Sequence, residues 1–563
     1  MKVSEAIADA LAIEAGGPIF GLMGDANMAV WDVLCADGRT RMVSARCDGA
    51  AVLMADGYAR ATGRIGVATV TCGPGLANCA NALVTASRGA SPLVVYTGEY
   101  TKADGGLGLV QSFDQSRFAQ ACEVEYRRLD RLENLAEDIA EGFFTARTKK
   151  RPVILSVPAP FWDEELPWEW EYQPSASFIP KHYAVPGPLA LRELADKLQA
   201  AERPVIIAGR GAVSANARHD IELLAEHTGS LLATSLLAKG FFDGHPYDIG
   251  VSGLFSSCPT ERLMAQADFV LGIGASLNFF TCEGGTLFSQ AQVARIDVKP
   301  LPVEIGATPG LYVQGDALET TRALLRVLLE TGKKKEGFRS AATRQILNEP
   351  TPQSPNATDG LDPRELMRSL SRSLPLNTQV ISGGGHFWSW PVAHLALPAG
   401  GRYQHTIEFG SIGLAVAHGI GAAVGNPQRT TLVIEGDGSF LQGIQELHAA
   451  AELRIPVIFL VMNDSGYGAE VRKMQWKHRN PRDAMWTSPD YVSVARGLGG
   501  DGVLLERESD VAQALKLAIE FKGPFVIDAR ISPSLVSDSE SRLYLGLENS
   551  APLLRPLQAR DKG

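Results

Sequence analysis

Asp437 and Asn463 are oxygen-bearing side chains 26 residues apart, each set at the end of a short apolar run, and together they could hold a divalent cation. Asp437 lies in Gly436-Asp437-Gly438-Ser439-Phe440, and Asn463 opens Asn463-Asp464-Ser465-Gly466-Tyr467-Gly468. A carboxylate, an amide oxygen and a main-chain carbonyl, with that of Ser465 as the candidate, make half an octahedral oxygen shell. Phosphate oxygens and water complete such a shell when Mg²⁺ is held. The amides of Gly438 and Ser439 open a helix, where phosphate is favoured. The direct reading is a diphosphate bound through a metal. For Gly-Asp-Gly taken by itself, a tight turn is the simpler alternative.

The elements that must position these groups are legible around them. Thr431 to Glu435 is a β-prone apolar run of the kind that fills a strand buried on both faces. Phe440 to Arg454 reads as one helix with Leu441, Ile444, Leu447 and His448 on one face and Arg454 in its last turn, ended by Pro456. Val457 to Met462 is a second strand. A right-handed crossover then brings Asp437 and Asn463 to the same edge of one parallel sheet.

Strand, Gly-Asp-Gly, helix, strand and Asn at this spacing resembles the thiamine-diphosphate-binding motif. Further matches lie upstream. Arg46-Cys47-Asp48-Gly49, Gly57-Tyr58-Ala59-Arg60 and Cys72-Gly73-Pro74-Gly75-Leu76-Ala77-Asn78 resemble the pyrimidine-binding domain of acetohydroxyacid synthase-like thiamine enzymes. That family carries an acidic residue nine positions before Gly-Tyr-Ala-Arg, then Gly-Pro-Gly-x-x-Asn. Counting back from Gly57 lands on Asp48, where the family has Glu, usually after His.

The resemblance implies that this carboxyl bonds the cofactor's aminopyrimidine ring and so promotes removal of the thiazolium C2 proton. Asp is shorter by one methylene, roughly 1.5 Å of reach, and a misplacement of about 1 Å can cost on the order of 100-fold. Three outcomes follow: a shifted backbone restores the contact, a water bridges it, or C2 proton removal is slow. The otherwise intact pattern favours one of the first two.

Other assignments also come from the resemblance. Pro74 and Asn78 of the Gly-Pro-Gly segment, Gly436, Gly438, Ser439 and Tyr467 would contact the cofactor, and Gln111 would face it across a subunit interface. Ser382-Gly383-Gly384-Gly385-His386-Phe387 follows the strand Thr378 to Ile381, and adjacent amides in such a loop can cradle phosphate oxygens. Gly385, His386 and Phe387 correspond to diphosphate contacts. Ile412, 25 residues before Asp437 in Phe409-Gly410-Ser411-Ile412-Gly413, matches the apolar wedge that bends the cofactor, with the Gly410 carbonyl facing the amino group. Core packing is the alternative for Ile412.

Gly24-Asp25-Ala26-Asn27 follows the strand 18–23, so Asp25 or Asn27 could cap the helix Met28 to Leu34, or Asp25 could line a pocket at the strand's carboxyl end. Asp25 and Glu470 resemble the proton-transfer carboxylates of pyruvate and indolepyruvate decarboxylases. Those enzymes also carry a paired His in the loop corresponding to Leu109-Val110-Gln111, and none is present here. Either acid could act as donor or acceptor, or Glu470 could simply pair with Arg472 or Lys473.

Composition bounds the rest. At 563 residues the chain is too long for one core, and 45% hydrophobic with 21% charged residues is globular. The net charge of −10, with no basic block larger than Lys149-Lys150-Arg151 or Lys333-Lys334-Lys335, excludes a nucleic-acid partner from the expectation. No run of about 18 apolar residues occurs, so no membrane span is expected. The seven cysteines are scattered, which fits a reduced compartment. The opening Met1-Lys2-Val3-Ser4-Glu5 is unlike a signal peptide, and a cytoplasmic location is expected.

The resulting expectation is α/β: three doubly wound domains, each with a mainly parallel sheet. They are a pyrimidine-binding domain at 1–165, a Rossmann-like middle domain at 188–335 and a diphosphate- and Mg²⁺-binding domain at 363–535, with a tail or lid at 536–563. Residues 161–187 read as a linker packed on the surface, and 331–362 as a second, mobile one. Two glycine turns, after Arg203 to Ala208 and after Phe269 to Ile273, tempt a nucleotide reading but are weak by themselves. The stretch around Ala275 to Gly285 does not match flavin-contacting segments, so FAD is not expected.

The expected activity is thiamine-diphosphate- and Mg²⁺-dependent cleavage or formation of the bond beside a 2-oxo acid's carbonyl. That means decarboxylation, or acetolactate synthase-like ligation to an aldehyde or ketone acceptor, in a homodimer or homotetramer. The rivals are a cofactor-binding protein without turnover, motivated by Asp48, and a nicotinamide oxidoreductase using the middle-domain glycines.

Overall fold

The computed structural model describes residues 1–180, 184–299, 309–349, 357, 359–540 and 542. Three six-stranded sheets organise them, as the α/β reading expects. In the first, the strands lie side by side as Met42–Ser44, Ile19–Gly21, Gly66–Thr69, Leu93–Glu99, Pro152–Pro158 and Glu125–Arg128, all paired parallel. The third sheet repeats that order: Arg402–His405, Gln379–Ser382, Thr431–Gly436, Val457–Asn463, Pro524–Arg530 and Asp501–Leu505. Its pairs from Gln379–Ser382 across to Asp501–Leu505 are parallel. In both sheets the strand order reverses beside the first strand, and α/β sheets bind ligands beyond the carboxyl ends at such a point. Asp25 follows the first strand of one sheet, and Gly383 and Asp437 follow the two strands at the switch of the other.

The described residues form two compact units: one of Met1–Pro180, Asn377–Trp388 and Gln404–Pro533, the other holding the middle sheet. Within the first unit, helix Asp48–Thr62 packs on helix Ala415–Gly425. Both are rich in Ala and Gly and buried almost all round. A Cβ added to Gly57 would lie 1.9 Å from the His418 carbonyl oxygen, and one added to Gly421 would lie 1.8 Å from that of Met54. Only a bare backbone fits at either crossing point. Gly57 therefore gives the Gly-Tyr-Ala-Arg segment a structural reason, and Arg60 gives it a second by pairing with Asp56 at 2.9 Å and with Glu408. A single apolar core runs from Phe20 and Val95 through this contact to Phe440, Phe459 and Val526.

Two local expectations need correction. The helix read over Phe440 to Arg454 is two helices, Asp437–Gly443 and Glu446–Glu452. Between them the backbone tightens into i→i+3 bonds, Leu447 N–H to Ile444 O and His448 N–H to Gln445 O, both at 3.1 Å. Leu441 is exposed, and Arg454 lies outside with φ 52°. Nor does Asn27 cap the helix it precedes. Its side chain turns back, accepting Gly24 N–H at 2.8 Å and donating to Leu22 O and Thr69 Oγ1, so it closes the turn at the strand end.

The segment after residue 161 packs on the first helix, Val3–Ala15. Trp170 Nε1 donates to Asp9 at 2.9 Å, and Tyr172 and Ser175 both reach the buried carboxylate of Glu14. In the middle unit the sheet order is Leu311–Gln314, Gln292–Asp297, Phe269–Ile273, Pro204–Ala208, Leu231–Thr234, Asp248–Val251, the Rossmann order with its switch between Pro204–Ala208 and Phe269–Ile273. The two glycine turns meet there. Gly209 N–H donates to Ile273 O at 3.0 Å and Gly211 N–H to Gly274 O at 2.9 Å, and a Cβ on Gly211 would sit 2.7 Å from Gly274 Cα. Amides that would cradle a phosphate are already bonded to carbonyls. No helix is long and apolar enough to cross a membrane among the described residues. Of the expected tail at 536–563, residue 541 and those from 543 on lie outside the described residues, as do 350–356 and 358 of the second linker.

Candidate functional site

Asp437 and Asn463 close their strands on neighbouring positions of the third sheet, where Gly436 stands opposite Met462. Both side chains are buried. Asp437 Oδ2 accepts Gly466 N–H at 3.1 Å, whereas Oδ1 is buried with no hydrogen-bond partner. Burial, with Asp464 nearby, pushes the Asp437 carboxyl up to about 7. An uncompensated buried carboxylate oxygen is costly and is the natural ligand of a cation.

Ser488, which the sequence reading did not single out, joins the group. Its Oγ donates to Asn463 Oδ1 at 2.8 Å and lies 3.1 Å from Ser465 Oγ. The Asn463 amide donates to Asp528 at 2.8 Å, which turns its oxygen toward the cluster. Ser465 adopts φ 60°, an uncommon value for a residue with a side chain, and its carbonyl accepts Trp486 N–H at 3.0 Å while keeping a second lone pair. Among the described residues no three His, Cys, Asp or Glu side chains form a metal-holding group. A cation here would be held by a carboxylate, an amide oxygen and a carbonyl, the oxygen set that suits Mg²⁺.

Glycines line the floor beside it. A Cβ on Gly438 would come within 2.7 Å of both Tyr467 and Trp486, whose rings meet edge to face at 4.8 Å. One on Gly436 or Gly385 would touch the Phe387 ring, at 3.0 and 2.7 Å. His386 is buried with Nε2 3.3 Å from Asp464 Oδ2, and burial together with Arg472 holds it well below its ordinary pKa, so it is neutral. Ser439 Oγ is occupied: it bonds Glu435 and accepts Gly413 N–H at 2.8 Å, leaving its main-chain amide for an anion. Ile412 is only half-buried, whereas its neighbour Leu414 is buried in the apolar core. At Gly410, φ is 76° and a Cβ would meet nothing within 4 Å, so this backbone faces open space.

The first sheet carries the other candidates. Asp48 opens helix Asp48–Thr62, buried, with Oδ1 unpartnered and 2.8 Å from where a Gly75 Cβ would lie. Asn78 and Pro74 are exposed beside it. Gln111 ends a short helix, with Oε1 3.3 Å from Cys72 Sγ and its backbone packed on Gly73. Asp25 is exposed at the carboxyl edge. Glu470 is exposed and paired with Lys473 at 2.7 Å, a contact worth at most about 1 kcal/mol. Among the described residues no hydrogen bond or ion pair joins Asp25, Asp48 or Gln111 to the Asp437 group, and the two groups, two candidate half-sites, belong to different sheets.

Three family models match in chain order: the thiamine pyrophosphate enzyme N-terminal TPP binding domain at residues 1–118, the central domain at 191–324 and the C-terminal TPP binding domain at 383–529. The chain belongs to the thiamine pyrophosphate enzymes. Relatives of this family share about a quarter of its residues over nearly full length. A probable acetolactate synthase large subunit of Methanocaldococcus jannaschii is 26% identical over 95% of this chain and 92% of its own. A sulfoacetaldehyde acetyltransferase of Alcaligenes xylosoxydans xylosoxydans is 26% identical over 93% and 91%. One of Castellaniella defragrans is 27% identical over 92% and 91%. The two models described as TPP binding cover the first and third sheets, which carry the two groups of candidate residues.

Proposed function

We propose that this chain is a thiamine-diphosphate- and Mg²⁺-dependent enzyme that breaks the bond beside the carbonyl of a 2-oxo acid and passes the acyl unit to an acceptor carbonyl or another small acceptor. The single observation that carries the metal reading is the buried, unpartnered Oδ1 of Asp437 beside the oxygens of Asn463, Ser465 and Ser488. At Gly385, Gly436 and Gly438 the backbone packs directly against the Phe387, Tyr467 and Trp486 rings and carries no side chain of its own. Bound there, the cofactor supplies an electron sink at its thiazolium ring.

The chain's own groups do the rest in this reading. Asp437, Asn463 and the Ser465 carbonyl hold the metal, and the amides of Gly385, Gly438 and Ser439 meet the diphosphate. Ile412 and the Gly410 carbonyl orient the ring system, and Asp48 holds a proton at the aminopyrimidine. Two half-sites on one chain favour a homodimer or homotetramer in which Asp48 and Gln111 of one copy serve the metal loop of another. Transfer is favoured over simple decarboxylation because the relatives are named as a synthase and acetyltransferases. A cytoplasmic location belongs to the same reading, and no flavin enters it.

The test is hydrogen–deuterium exchange at thiamine-diphosphate C2 with Mg²⁺, on the wild type, Asp48→Ala and Asp48→Glu. Fast exchange lost in Asp48→Ala supports the enzyme, and products from pyruvate with and without acceptors then separate transfer from decarboxylation. Exchange no faster than in free cofactor, restored by Asp48→Glu, sinks the enzyme reading and leaves a binding protein.

A further inference from the structure

We infer that Asn81 and Arg88, on a helix of the first domain, are positioning residues for the cofactor: with Arg60 they clamp the loop Phe409–Gly413 of the third domain in the same chain. The inference rests on the functional reading above. The loop is thinly supported by itself. Gly410 N–H reaches Ile407 O at 2.9 Å and Gly413 N–H reaches Ser439 Oγ at 2.8 Å. Gly410 has a left-handed backbone facing open space, and Phe409 is 44% exposed.

Three side chains from outside hold it. Asn81 Nδ2 donates to Ser411 Oγ at 2.6 Å, between Gly410 and Ile412. The Arg88 guanidinium lies over the Phe409 ring, 4.6 Å from its centroid, and is itself fixed by Glu123 at 3.1 Å. Arg60, buried against Asp56 and Ser91, pairs with Glu408 just before the loop and reaches His405 O at 3.3 Å. Asn81 and Arg88 share helix Ala80–Arg88, two turns apart, so one rigid element grips both ends of the Phe409–Ser411 segment. Side chains of a domain that does not carry the metal loop therefore share in deciding where Gly410 and Ile412 stand.

Asn81 and Arg88 are exposed, so removing them leaves the core intact. The experiment follows amide hydrogen exchange over residues 405–414 in cofactor-free protein, and separately the Kd for thiamine diphosphate with Mg²⁺ by calorimetry, for the wild type, Asn81→Ala, Arg88→Ala and the double variant. One neutral hydrogen bond and one cation–π contact together predict about tenfold faster loop exchange and about tenfold weaker binding in the double variant. Exchange in helix Asp48–Thr62 and the melting temperature stay unchanged. Arg88→Lys, which keeps charge but loses the planar stack, restores part of the binding. Loop exchange equal to the wild type, or faster exchange with an unchanged Kd, overturns the inference. A wild type that fails to bind the cofactor at all sinks the functional reading instead, and the exchange comparison still shows whether the clamp exists.

Discussion

The carboxylate of Glu446 accepts the main-chain N–H of Arg46 at 3.0 and 3.2 Å, and so fixes the peptide two residues before Asp48 from a helix that follows Asp437. Glu446 is fully buried. The two candidate half-sites are thus tied within one chain, although their functional groups do not touch. Any tilt of helix Glu446–Glu452 would be passed to the Asp48 turn.

That tie has a pH signature. Burial pushes the Glu446 carboxyl up to about 7, against the backbone N–H groups of Arg46 and Cys47 that favour its charge. A folded-state value above the unfolded one means stability that is fully present below about pH 4.5 and lost as pH rises through about 7. Glu446→Gln keeps an acceptor oxygen and removes the titration. Denaturation midpoints from pH 5 to 8 should fall less steeply in the variant, by on the order of 2 kcal/mol across the range. Parallel slopes would show that Glu446 does not titrate there.

Asp56 has the opposite sign. Burial alone would raise its pKa, but Arg60 and His418 hold its carboxyl well below the usual range. Its contribution is present above about pH 4 and disappears as pH falls through the folded value. Asp56→Asn leaves Arg60 partly unpaired in the interior, and breaking such a network costs about 3–5 kcal/mol. The melting temperature at pH 7 should drop sharply, and the drop should shrink in acid.

Ser488 is expected to matter for metal rather than for folding. Partners that orient metal ligands typically contribute about 10–100-fold in affinity. Ser488→Ala should weaken Mg²⁺ binding within that range in calorimetry with thiamine diphosphate present, and Asp437→Asn should weaken it more. Unchanged binding in Ser488→Ala would place the hydroxyl outside the metal's surroundings.

Gly57→Ala tests the crossing of the two Ala- and Gly-rich helices. Its Cβ would sit 1.9 Å from a carbonyl oxygen, so the helices must separate. Overpacking of this kind costs about 1–3 kcal/mol or more, read as a lower unfolding midpoint. The same substitution at Gly63, where a Cβ meets nothing within 4 Å, is a control for space, with only the strain of φ 73°.

Much of the architecture could be read from the chain because each strand ends in a turn residue with a mechanical reason to be there. Asp437 and Asn463 were legible for that cause: apolar runs Thr431–Gly436 and Val457–Asn463 fix where the chain must stop and turn. Ser488 was not, since a serine in an irregular Thr-Ser-Pro stretch carries no periodicity and its contact partners are more than 20 residues away. Glu435 left a signal that went unused. A carboxylate inside a strand buried on both faces needs partners, and it has them in Ala415 N–H and Ser439. The kink after Gly443 was hidden because the apolar spacing continues across it, whereas the inward turn of Glu446 toward Arg46 depends on another part of the fold.

Glu14 sets how much chain belongs to the packing of the first sheet. Its buried carboxylate is satisfied by Arg147 from within the domain and by Tyr172 and Ser175 from the segment beyond. A fragment cut at residue 165 would keep every strand and lose three of those bonds, together with the Trp170 hydrogen bond to Asp9. The first sheet's own packing therefore extends past its last strand to Ser175, and the tether between domains doubles as the first domain's outer wall.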